Sequence, residues 1–101
     1  MPNKYCPIFK PIELVGDSWT LLIIKILLPG PLRYNEIRGK IPDINNRTLS
    51  SRLKSMISKG VIIKSARDCK PTICNYELSE LGRGVGPILQ SIEEFGNKFL
   101  C

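Results

Sequence analysis

Asn45-Asn46-Arg47-Thr48-Leu49-Ser50-Ser51-Arg52-Leu53-Lys54-Ser55-Met56-Ile57-Ser58-Lys59-Gly60 carries its own start, its two faces and its stop. Asn45 offers a side-chain oxygen to the unpaired amides of a first helical turn, and Gly60 stands where a helix ends on a left-handed residue. The spacing predicts a helix over 46–59. Leu49, Leu53, Met56 and Ile57 form a core-facing stripe. At 100° per residue the opposite face then holds Arg47, Ser51, Lys54, Ser55 and Ser58, with Thr48 and Arg52 flanking it. That outer face is basic and rich in hydroxyls.

Immediately before it, Tyr34 to Arg38 fits a short helix ending at Gly39, and Pro42 marks the turn between the two. Immediately after it, Val61 to Arg67 and Ile73 to Leu78 read as a β-hairpin joined by Asp68-Cys69-Lys70-Pro71-Thr72. Toward the N-terminus, Pro7 opens a helix over Ile8 to Val15, with Ile8, Ile12 and Val15 on one side. Asp17 or Ser18 caps a second, Trp19 to Leu28, which is apolar nearly all round and is closed by Pro29-Gly30-Pro31. Toward the C-terminus, Ser79 caps a turn and the glycines 82, 84 and 86 follow. Pro87 then starts a final helix to Leu100 with the stripe Ile88, Leu89, Ile92, Phe95 and Phe99.

A short helix, a turn, a longer helix and a hairpin in that order predict a winged helix-turn-helix, α+β and mostly helical, with a two-stranded wing. With 101 residues the chain is one domain. Residues 33–60 are its helix-turn-helix, 61–78 its wing, and 1–16 and 87–101 terminal helices read as dimerisation elements. A lone monomer would expose the terminal stripe, so Ile88, Leu89, Ile92, Phe95 and Phe99, with Ile8 and Ile12 alongside, are expected to meet a two-fold mate.

Charge points the same way. Between Arg33 and Lys70 lie ten basic residues against Glu36, Asp43 and Asp68, whereas the rest of the chain holds five basic and six acidic residues. A basic middle in a neutral remainder calls for a polyanion, and charges spread over several short elements suit nucleic acid better than a membrane surface. The expected partner is double-stranded DNA, at a pseudo-palindromic operator. The helix over 46–59 would enter the major groove, and the wing over 64–72 would reach backbone or minor groove. The candidate contacts are Arg33, Asn35, Asn46, Arg47, Thr48, Ser51, Arg52, Lys54, Arg67 and Lys70, with Arg47 the first candidate for a base contact. The competing function is a winged-helix module whose basic face binds an acidic protein.

Other classes fall away on the residues themselves. The chain has no histidine, which excludes histidine-dependent triads and histidine metal sites, and no enzymatic activity, cofactor or metal is expected. Gly82-Arg83-Gly84-Val85-Gly86 lacks the Lys-Ser/Thr of a phosphate loop and does not follow a strand in a βαβ unit. Cys69 and Cys74 cannot complete a tetrahedral zinc site, and read as a hairpin disulfide or two inert thiols. Met1 to Lys10 contains no apolar core for a signal sequence. The longest apolar run, Leu21 to Leu28, is broken by Lys25 and falls far short of the roughly 20 residues that span a bilayer. A cytoplasmic, membrane-free protein is expected.

Cys6-Pro7, Ile12-x-x-x-x-Gly16-x-x-Trp19, Leu32-Arg33-Tyr34-Asn35-Glu36-Ile37, Leu49-x-x-x-Leu53 and Tyr76-x-Leu78-Ser79-x-x-Gly82 together resemble the HxlR-type regulators, a branch of the MarR-like winged-helix proteins. The match runs over almost the whole chain, in order and without gaps. The resemblance implies a dimeric cytoplasmic transcription factor whose first and last helices form the dimer interface. It departs at Ser18, at Met56-Ile57 and at Ile73, where family members usually carry Lys, Leu-Glu and Arg. Arg67 and Lys70 then remain as the wing's candidates. Some members of that family use a cysteine near the N-terminus as a switch, which makes Cys6 a candidate redox or electrophile sensor, with an inert, partly buried thiol as the alternative. A thiol just before a helix N-terminus gains thiolate character from the helix dipole, with Lys4 and Lys10 adding to it. Cys101 is its candidate disulfide partner if the termini meet across a dimer.

Overall fold

The computed structural model describes residues 7–66 and 74–100. Helix α1 (Phe9–Val15) leads through Gly16 into α2 (Ser18–Leu27), and a two-residue strand β1 (Leu32–Arg33) runs straight into α3 (Tyr34–Lys40). Then come α4 (Asn46–Ser58), β2 (Ile62–Ala66), β3 (Cys74–Leu78), the single turn α5 (Glu80–Arg83) and α6 (Gly86–Phe99). The wing therefore belongs to an antiparallel sheet of three strands rather than two, in the order β1-β3-β2. Leu32 pairs with Tyr76 and Arg33 with Asn75, while Ile62 to Ala66 pair with Leu78 to Cys74.

Helices α2, α4 and α5 start where a side chain receives one of their orphan amides. Asp17 does so for α2 by accepting from the Thr20 amide at 3.0 Å, and it also accepts from the Thr20 hydroxyl at 3.1 Å, which satisfies that buried group. Asn45 Oδ1 accepts from the Thr48 amide at 2.7 Å. Helix α4 ends on Gly60 at φ +78, with its amide bonded to the Ile57 carbonyl and that of Val61 to Met56. These two bonds form a Schellman motif, which uses carbonyls the helix would otherwise leave open. Helix α3 continues through Gly39, where an end was expected, because Ile37 and Ile41 lie one turn apart and both are buried.

The core gathers Ile23, Ile24 and Leu27 of α2, Ile37 of α3, Leu49, Leu53 and Met56 of α4, and Ile62, Tyr76 and Leu78 of the sheet. One expectation is corrected here: Ile57, read as core, is 37% exposed at the edge of the α4 stripe. Leu22 of α2 is exposed as well. Ser79 ties the sheet to the next segment: its hydroxyl lies 2.6 Å from the Gly60 carbonyl and 2.9 Å from that of Val61, and its oxygen accepts from the Gly82 amide. The segment read as a turn is thereby a capped helical turn, packed so closely that a Cβ on Gly82 would stand 2.3 Å from the Val61 carbonyl oxygen.

Helix α6 turns Leu89 into the domain's own core, where it is 7% exposed, so this residue leaves the set expected at an interface with a mate. The Lys25–Glu93 ion pair joins α6 to α2. Ile88, Ile92, Phe95 and Phe99 remain exposed along the other side, Phe95 at 58% and Phe99 at 63%, with the two rings 5.2 Å apart. Ile8 and Ile12 at α1 are exposed as well. An apolar groove of about 350 Å³ between Leu14 and Val15 of α1 and Leu81, Val85 and Ile88 joins the two helices.

Candidate nucleic-acid interface

The buried stripe of α4 decides what its opposite face shows. With Leu49, Leu53 and Met56 turned inward, Arg47, Ser51, Lys54 and Ser58 are exposed together, Asn46 is exposed in the first turn, and Thr48 is half-buried. The helix is held at both ends by the Asn45 cap and the Schellman bonds, so this face is carried on a rigid element. Most of the residues proposed to touch DNA on α4 are thus brought to one surface.

Arg52 stands apart from them. It is half-buried, and its Nη1 lies 3.7 Å from Asp17 Oδ2, so its charge is engaged by the N-cap of α2. Arg33 is exposed at the start of α3, its backbone amide donating to Glu36 Oε1 at 2.9 Å in one half of a capping box. Asn35 lines an open cleft of about 370 Å³ with Arg38, Gly39 and Pro42. Arg38 and Lys40 are exposed on α3 and were not among the sequence candidates; the count of basic residues could have named them. Lys64 on β2 is exposed, its ammonium 5.9 Å from the centre of the Tyr76 ring. Arg67 and Lys70 of the wing, Cys6, Cys69 and Cys101 lie outside the described residues.

One participant is missed by pattern reading altogether. The Tyr34 hydroxyl sits 3.2 Å from Asn46 Oδ1 and 3.3 Å from both the Asn46 carbonyl and Ser50 Oγ, which braces α3 against the first turn of α4. Nothing in the hydrophobic periodicity signals a polar tether of this kind. Among the described residues no group of three or more metal-ligating side chains occurs, and no helix is long and apolar enough to cross a membrane.

A capped helix showing a basic outer face, braced by a shorter helix and followed at once by a hairpin, defines the winged helix-turn-helix class. The model of the HxlR-like helix-turn-helix family matches residues 14–101, and the chain belongs to that family. It is 30% identical to the HTH-type transcriptional regulator YvaP of Bacillus subtilis over 99 residues, 97% of this chain and 92% of that protein. Its fold is similar to that of a MarR-family transcriptional regulator from Porphyromonas gingivalis W83, with a TM-score of 0.90 and 34% identity over 99% of this chain and 98% of that one. The oxidized form of the redox regulator HypR is similar at a TM-score of 0.84 and 27% identity, covering 92% and 96% of the two chains. The chain is a helix-turn-helix transcriptional regulator, and its family is one of regulators rather than enzymes.

Proposed function

We propose that this regulator binds double-stranded DNA as a homodimer at a pseudo-palindromic operator, with α4 in the major groove and the wing on backbone or minor groove. The observation that carries the reading is the outer face of α4, where Arg47, Ser51 and Lys54 are exposed together opposite the buried Leu49, Leu53 and Met56, with Asn46 exposed in the first turn. Arginine reads guanine with two hydrogen bonds, and hydroxyls and lysine serve bases or phosphates, so these residue types fit a groove that displays acceptors. Arg33 and Arg38, at either end of α3, suit flanking phosphates.

Support for the dimer comes from the exposed ridge of Ile88, Ile92, Phe95 and Phe99, from the exposed Ile8 and Ile12, and from the apolar groove in which Ile88 meets Leu14 and Val15 of α1. Contiguous apolar surface of this kind marks an interaction site. A two-fold mate there would set two copies of α4 for successive major grooves, about 34–36 Å apart. Titration of operator and random duplexes over a range of salt tests the reading: DNA recognition gives a steep logarithmic loss of affinity with salt and a preference for the operator. Binding to an acidic protein with no preference among duplexes would replace it.

Redox control through Cys6 belongs to the same proposal. Its support is the similarity to HypR and the place of Cys6 in the sequence, just ahead of α1 and the exposed Ile8 and Ile12.

A further inference from the structure

Gly96 is a helical residue in the last turn of α6, its carbonyl accepting from the Leu100 amide at 2.8 Å. A glycine at a helical position costs stability relative to alanine, so the use of one lies in what its missing Cβ makes room for. Gly16 and Gly82 spare their own chain, where a Cβ would stand 2.4 Å from the Ile12 carbonyl oxygen and 2.3 Å from that of Val61. Gly60 supplies φ +78. Gly96 does neither, because its φ is not positive and a Cβ built there would meet nothing within 4 Å among the described residues. Leu89, seven residues earlier and on nearly the same side of α6, is buried in the domain's own core. By Gly96 the domain has left that side open.

Ile92, Phe95, Gly96 and Phe99 stand at i, i+3, i+4 and i+7, the four corners of the hole that receives a knob when helices interdigitate. Three corners are exposed apolar side chains and the fourth is bare backbone, so the hole is apolar and deep. It has room for a large knob. Phe95 and Phe99 are the largest exposed apolar side chains among the described residues, and they belong to this same patch. A two-fold contact requires both on one surface, since each copy gives what it receives.

We propose that Gly96 is the point of closest approach between two copies of this chain, where an aromatic ring of one α6 seats on the bare backbone of the other. The inference rests on the reading of α6 as the dimer face and adds where on that face the copies interlock. Gly39 is also helical with open space for a Cβ, but it lines a cleft with Asn35, Arg38 and Pro42 instead of an apolar hole. It serves as the control.

The test is sedimentation of the full chain over a dilution series, as wild type, Gly96→Ala, Gly96→Leu and Gly39→Leu, with circular dichroism alongside to show which variants are folded. Within one copy, alanine or leucine at 96 meets open space and favours the helix, and at an interface governed by apolar area alone leucine would tighten the dimer. With a ring already seated there, the added side chain overpacks the contact. The dissociation constant then rises for Gly96→Ala and by about tenfold or more for Gly96→Leu, while Gly39→Leu dimerises as wild type does. Either Gly96 variant, folded and dimerising as tightly as wild type or more tightly, overturns the proposal and leaves the dimer reading standing. So does an equal weakening by Gly39→Leu, which would show that the effect is not local to the hole. Wild-type protein that stays monomeric would remove the dimer reading itself, and the proposal with it.

Discussion

Arg52 Nη1 stands 3.7 Å from Asp17 Oδ2, the same oxygen that receives the amide and the hydroxyl of Thr20 at the start of α2. One carboxylate thus caps one helix and engages a cation on another. Both side chains are more than a third exposed, so the ion pair contributes at most about 1 kcal/mol, whereas the cap contributes about 0.5–2 kcal/mol. The two roles separate by substitution. Asp17→Asn keeps an acceptor for Thr20 and releases Arg52: melting moves little, and the salt slope of DNA binding steepens by about one phosphate contact. Asp17→Ala loses the cap as well and melts lower. An unaltered salt slope in Asp17→Asn would show that Arg52 is not held back by this carboxylate.

The junction between α4, the sheet and α5 predicts an ordering of glycine substitutions. Gly82→Ala puts a Cβ 2.3 Å from the Val61 carbonyl oxygen, and backbone there must move, at a cost of about 1–3 kcal/mol. Gly60→Ala meets no neighbour but is forced to φ +78, for about 1–2 kcal/mol. Gly39→Ala lies inside α3 in open space and gains about 0.5–1 kcal/mol. Denaturant unfolding of the three variants checks the order; a destabilised Gly39→Ala or a neutral Gly82→Ala would contradict it.

Helix α6 presents two faces that should fail differently. Leu89→Ala removes core and costs about 2–5 kcal/mol of stability, because Leu89 is buried within its own domain. Phe95→Ala with Phe99→Ala removes rings that the domain itself leaves exposed, so the fold survives and the proposed dimer weakens. Sedimentation at micromolar concentration, read with circular dichroism, distinguishes them. A folded double variant that stays dimeric would exclude this face as the interface.

How far these features could be read beforehand depends on their range along the chain. The α4 start, stripe and stop are local, and Asn45, Leu49, Leu53, Met56 and Gly60 do what their spacing implies. Strand β1 is two residues long and is made by pairing with Asn75 and Tyr76, so no alternation in Leu32-Arg33 could announce it. Ile88 and Leu89 are neighbours 100° apart on a broad apolar face, and only the position of α2 decides which of them turns inward. At the site, residue type and helical phase named Arg47, Ser51 and Lys54. Phase alone could not show that Arg52 leans to Asp17 or that Tyr34 reaches Asn46, since both contacts join separate elements.

Control through Cys6 makes a prediction independent of the fold. Oxidation with diamide changes operator affinity of the wild-type protein and leaves Cys6→Ser unaffected. Equal effects on both, or none on either, would end the sensor role while leaving DNA recognition intact.

The central claim is that the outer face of α4 reads bases, and the direct measurement is the affinity of wild type, Arg47→Ala and Lys54→Ala for the selected operator, its single-base variants and random duplex at several salt concentrations. The account predicts that Arg47→Ala loses about 1–3 kcal/mol on the operator and becomes indifferent to one base position, while Lys54→Ala weakens every duplex alike and flattens the salt slope by about one. An Arg47→Ala protein with wild-type affinity and wild-type base preference would contradict it.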